Sequence, residues 1–127
     1  MQINNQTRQN KRLSLKDLFP ETSPETQIEY RGYHAKRKFK GTILSLSRSG
    51  LFIRASHIPL KGDVIFLSFY FDNRYIHCLG KVIYLNRVGD GFRPQGFGIK
   101  FLRMMQNDYE GLQKSIDLYY QSFFEFH

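Results

Sequence analysis

Two short patterns hold the side chains best suited to gripping an anionic or planar ligand. Ser45-Leu46-Ser47-Arg48-Ser49-Gly50 lies between two runs that read as strands, Phe39 to Leu44 and Leu51 to Arg54, and so occupies a hairpin corner. There Ser47 can hydrogen-bond its own turn, and Gly50 can take the positive φ of a tight corner. Upstream, Arg8-Gln9-Asn10-Lys11-Arg12 sets two guanidinium groups four residues apart. A guanidinium can take a phosphate or a base edge in two-pronged fashion, or stack flat on a ring. In isolation the corner is an ordinary Ser/Gly turn, and the arginine pair is a weak signal.

Patterns for covalent or metal chemistry are weaker still. His34, His57, His77 and His127 are scattered, without metal-site spacing. Cys78 follows His77 on a strand, so the two side chains point to opposite faces and do not form a nucleophile and base. The acidic residues form no close pair for general acid–base work. Gly89-Asp90-Gly91 lacks the strand-turn-helix setting of a phosphate loop. The chain reads as a binding module, not an enzyme, with no catalytic residue, metal or resident cofactor expected.

Composition fits a single small domain. The 127 residues leave room for one core, and 41% hydrophobic content with 12 Phe and 8 Tyr can build it. The longest apolar run, Val64 to Phe71, is far short of the roughly 20 residues that a membrane helix needs. A polar N-terminus without an apolar stretch argues against a secretory signal, and one cysteine fits a reducing compartment. A cytoplasmic protein is expected, with no membrane insertion. Net charge is +8, of which residues 1–40 carry +5. Such a surface attracts phosphates, and its cations cluster in the N-terminal segment and at Lys36-Arg37-Lys38-Phe39-Lys40, both expected near the corner.

Residues 1–26 are polar and turn-rich and read as a flexible basic tail. Within it Ser14 and Asp17 form a capping-box pattern for one helical turn over Leu15, Leu18 and Phe19, which Pro20 would stop. Residues 27 to about 102 read as six short strands: Gln27 to Arg31, Lys38 to Leu46, Leu51 to Ala55, a run ending at Phe71, Tyr75 to Leu85, and Phe97 to Leu102. Six hairpin-linked strands suggest a closed antiparallel barrel, making the chain mainly β. A helix over about 107–125 follows, capped by Asn107 or Asp108, with an apolar stripe of Tyr109, Leu112, Ile116, Tyr119 and Phe123 packing on the barrel mouth. Tyr120, Phe124 and Phe126 fall off that stripe and, if exposed, would favour a dimer or partner contact.

The whole pattern resembles the PilZ family, small β-barrels that bind cyclic di-GMP. The family carries Arg-x-x-x-Arg in a flexible N-terminal stretch, then (Asp/Asn)-x-Ser-x-x-Gly at a strand corner, then a Gly-containing strand and a helix. Arg8 and Arg12 match the first element, Ser45, Ser47 and Gly50 the second, and Gly96-Phe97-Gly98-Ile99-Lys100-Phe101 the closing strand. The resemblance implies that these five residues form a cyclic di-GMP site. The arginines would take guanine and phosphate, Ser45 the guanine edge, Ser47 a phosphate or the turn, and Gly50 would leave room for the base.

Ser45 stands where the family has Asp or Asn, and one hydroxyl replaces a stronger acceptor at a loss of roughly 1–3 kcal/mol, about 5- to 150-fold in affinity. Three readings follow. The first is a cyclic di-GMP receptor whose tail orders on the ligand and signals to an unidentified protein partner in motility, secretion or regulation. The second is a degenerate PilZ adaptor that acts through protein contacts alone. The third, a binder of single-stranded nucleic acid, rests on basic residues beside Tyr30, Tyr33 and Phe39 and is the least favoured.

Overall fold

The computed structural model describes residues 11–89 and 94–122 with their side chains, and 123–125 as backbone. The strands follow from strict alternation. β5 (Val64–Phe71) buries Ile65, Leu67, Phe69 and Phe71 and turns Val64, Phe66, Ser68 and Tyr70 outward. It returns as β6 (Arg74–Asn86) through Asp72 and Asn73, both at positive φ (51° and 63°), a conformation that short polar side chains tolerate in a two-residue hairpin.

β2 (Gln27–Gly32), β3 (Phe39–Ser47), β4 (Gly50–Arg54) and β7 (Gly96–Met104) complete the barrel. Its order is β3-β2-β5-β6-β7-β4, every neighbour antiparallel, and β4 pairs back onto β3 to close the ring. The six-stranded barrel and single C-terminal helix expected from the sequence are therefore present. Inward residues such as Ile43, Leu46, Ile53, Val82, Phe97 and Ile99 fill it at 2% exposure or less.

A seventh, three-residue strand was not expected. β1 (Arg12–Ser14) pairs with Ser45–Ser47 of β3, just where β2, paired with Phe39–Thr42, leaves that edge open. The flexible tail expected over residues 1–26 is thus folded onto the barrel from Arg12 onward. The cause is apolar: Leu13 and Leu15 are buried at 3% and 0% exposure, and that burial outweighs the polar composition around them. α1 (Leu15–Leu18) forms and ends before Pro20, but the Ser14 side chain makes no capping bond.

α2 (Gln106–Glu125) starts ahead of the expected caps, so Asp108 lies inside its first turn and binds Arg74 at 3.1 Å. Tyr109, Leu112 and Ile116 are buried against the barrel end. There Phe19, Phe71 and Tyr119 meet edge-on or tilted, with centroids 5.5–6.2 Å apart. Tyr120 is half-buried beneath the Lys11 ammonium rather than exposed. The Phe123 and Phe124 side chains, Phe126 and Arg8 lie outside the described residues. Among the described residues no helix is long and apolar enough to cross a membrane.

Candidate functional site

The corner sits on the outer wall of the barrel, and two β-bulges aim side chains into it. The β3–β4 register slips between Ile43 and Ser45, inserting Leu44, so that Ser45 faces outward opposite Phe52. The β6–β7 register slips between Val82 and Tyr84, inserting Ile83, so that Tyr84 faces outward opposite Gly98. Because Phe52 also pairs with Gly98, one row runs Ser45–Phe52–Gly98–Tyr84 across four strands. The rings of Phe52 and Tyr84 lean together over the glycine, centroids 5.9 Å apart. A Cβ on Gly98 would come within 3.3 Å of Tyr84, so the missing side chain sets the floor level.

The result is an open depression of about 450 Å³, its floor Leu44, Phe52, Ile83 and Tyr84, and its wall Asn86 and Pro94, tied by a 2.7 Å hydrogen bond from Asn86 Nδ2 to the Pro94 carbonyl. At its polar end Arg12 Nη1 donates to Ser45 Oγ at 2.8 Å. Pairing of β1 with β3 holds Arg12 opposite Ser47; its side chain is exposed, and desolvation by the barrel surface lowers its pKa while it stays a cation. A flat apolar floor with a guanidinium and a hydroxyl at one edge suits a planar heterocycle that carries acceptors and a nearby anion.

Not every expected residue faces this depression. Ser47 is fully buried, and its hydroxyl donates to the Gly50 carbonyl at 3.3 Å, lies 3.1 Å from Ser49 Oγ and accepts the Ser49 amide at 3.4 Å. Those bonds hold the turn. Gly50 does not take the positive φ expected of it; among the described glycines only Gly62, at 91°, does so. Gly50 is required by closeness instead, since a Cβ there would lie 1.9 Å from the Ile99 carbonyl oxygen of β7. The Lys36–Lys40 cluster is also not beside the corner: five residues of β3, about 16 Å, separate Lys40 from Ser45. Arg8 lies outside the described residues.

Sequence reasoning missed Phe52, Ile83, Tyr84 and Asn86. The Gly96-Phe97-Gly98 spacing was the available signal, because two glycines on one face of a strand leave a gap that neighbouring rings can cover. Cys78 is buried, with its thiol pushed up to about 12 by burial and then by Asp108, while His77 lies outside, 2.9 Å from Ser68. Among the described residues no three His, Cys, Asp or Glu side chains gather to hold a metal.

The fold is one that known proteins share. The PilZ domain model matches residues 6–118. The fold is shared with the PilZ domain of YcgR from Escherichia coli, solved with c-di-GMP (TM-score 0.63, 16% identity, covering 94% of this chain and 98% of that one). It is shared also with the Bacillus subtilis inhibitor of motility MotI/DgrA (0.67, 12%, 87% and 50%). A third is Borreliella burgdorferi PlzA in complex with c-di-GMP (0.57, 18%, 84% and 39%). The chain thus spans half or less of the MotI and PlzA chains. No curated protein matches it. With the barrel, the corner and the matched span in agreement, this chain belongs to the PilZ domain family.

Proposed function

We propose that the chain is a cyclic di-GMP effector module that signals to a protein partner in the cytoplasm, without catalysis or a resident cofactor. The observation that carries this reading is the Arg12–Ser45 contact at the polar end of the depression floored by Phe52 and Tyr84. A guanine resting on that floor turns its O6 and N7 acceptors toward Arg12, and its N1–H and N2–H edge toward Ser45. Arg12 then leaves Ser45 Oγ for the ligand, and Arg8 comes over the top to take phosphate. Ser47 and Gly50 act from beneath: one fixes the turn, the other lets β4 approach β7. Because Arg12 is already anchored by β1, the segment that reorganises is the one ahead of it. The conformational entropy of ordering that segment lowers affinity while creating a new surface for the partner.

Calorimetric titration of cyclic di-GMP into the full chain, beside an Arg8→Ala/Arg12→Ala variant, tests this. Saturable heat that disappears in the variant is expected. No heat from either protein at high micromolar ligand would leave the second reading, a PilZ adaptor working through protein contacts alone. That reading draws on two observations: the weak acceptor at Ser45 is already engaged by Arg12, and the Ser47 hydroxyl is buried. Nucleic acid is not expected among the partners.

A further inference from the structure

Two more cross-strand rows lie along the outer wall next to the candidate site. One runs Val64–Lys81–Lys100, the other Arg31–Phe66–Leu79–Arg103. Lys81 and Lys100 are exposed and directly opposite one another, a like-charge pair that raises the energy of the sheet. Among the described residues, Arg31, Lys81, Lys100 and Arg103 form no ion pair. Between Arg31 and Arg103, Phe66 and Leu79 line a depression of about 590 Å³ that no carboxylate enters. Met105 at its edge is 70% exposed. Unopposed cations around an apolar floor are a local conflict that an acidic, apolar partner would resolve.

We propose that this face docks an acidic amphipathic helix of a partner protein, its apolar side chains on Leu79 and Met105 and its carboxylates on the four cations. The closed barrel offers no unpaired strand edge here, so the bound segment must satisfy its own backbone hydrogen bonds. Phe66 is already stacked by Tyr33 (5.3 Å) and covered by the Arg31 guanidinium (4.2 Å), which disfavours a nucleobase. The flexible Met105 suits protein side chains. The inference rests on the effector reading only in supposing that a partner exists, and not on ligand binding.

The probe is a synthetic helical peptide of about 18 residues, with Leu at i, i+3, i+4 and i+7 flanked by Glu, titrated into the full chain by amide NMR. Shifts confined to residues 31–33, 64–81 and 100–105 are expected. A Lys81→Glu/Arg103→Glu variant of unchanged amide spectrum should bind roughly tenfold more weakly, about 1.4 kcal/mol. A control peptide with Lys for Glu should not bind. Shifts elsewhere, equal binding by the variant, or these shifts from anionic phospholipid vesicles or a thymidine oligonucleotide but not the acidic peptide would overturn the proposal. A cyclic di-GMP titration of the same variant reports on the effector reading separately, and its heat should be unchanged.

Discussion

At the level of single residues, the site turns on what Ser45 can offer. Its one hydroxyl already accepts from Arg12. Replacing it with aspartate supplies a charged acceptor for the guanine edge beside a fixed cation. Ser45→Asp should therefore tighten cyclic di-GMP binding by about 5- to 150-fold, read by calorimetry; an unchanged Kd would contradict the assigned role. Gly50→Ala acts differently, driving a methyl into the Ile99 carbonyl. A loss of about 2–4 kcal/mol in urea unfolding is expected, where a turn glycine chosen only for flexibility would lose less. Burial also pushes both the Cys78 thiol and the Tyr30 hydroxyl up to about 12. Both keep their protons longer in the folded chain than in the unfolded one, where they titrate near 8.5–10. Stability is then full below about pH 8 and falls as pH rises toward 12, and a Tm that stays flat over that window would refute it. Ser45, Ser47 and Gly50 were legible in the sequence as a corner, but not their division of labour. Which hydroxyl faces outward depends on the bulge at Leu44, a property of pairing that no local pattern reports.

At the level of elements, β2 to β7 could be read because alternation and turn residues agree locally, as in the perfect in-out pattern of β5. β1 could not. Three residues are too few for a period, and Leu13 finds its apolar surroundings only once β3 and α2 are in place. Its contribution is measurable. Leu13→Ala should cost about 2–5 kcal/mol and free the chain ahead of β2. Limited proteolysis would then cut between residues 11 and 26 faster than in the parent chain; equal rates would mean that β1 is held by something other than its core leucine. The helix stripe was legible for the same reason as β5, since Tyr109, Leu112 and Ile116 recur at helical spacing. Its start was misplaced because Asp108 serves Arg74, on another element, rather than the helix end.

At the level of the whole molecule, the barrel presents two neighbouring surfaces of different chemistry on one wall. One has a cation and a hydroxyl at the edge of an aromatic floor; the other has four unopposed cations around Phe66 and Leu79. β6 and β7 run beneath both, so anything seated on Tyr84 and Gly98 lies two or three residues along the same strands from Lys81 and Lys100. Ring closure has a further consequence, for the order in which the molecule is made. β7 is the last strand to emerge from the ribosome, yet it bridges β6 and β4, pairing Gly50 with Lys100 and Ile53 with Phe97. Until it arrives, β4 and β6 both present bare edges to any strand nearby, and the final closure joins segments nearly fifty residues apart. The nascent chain is therefore most prone to aggregate just before its barrel can close, which makes synthesis a riskier period than later life in the folded state.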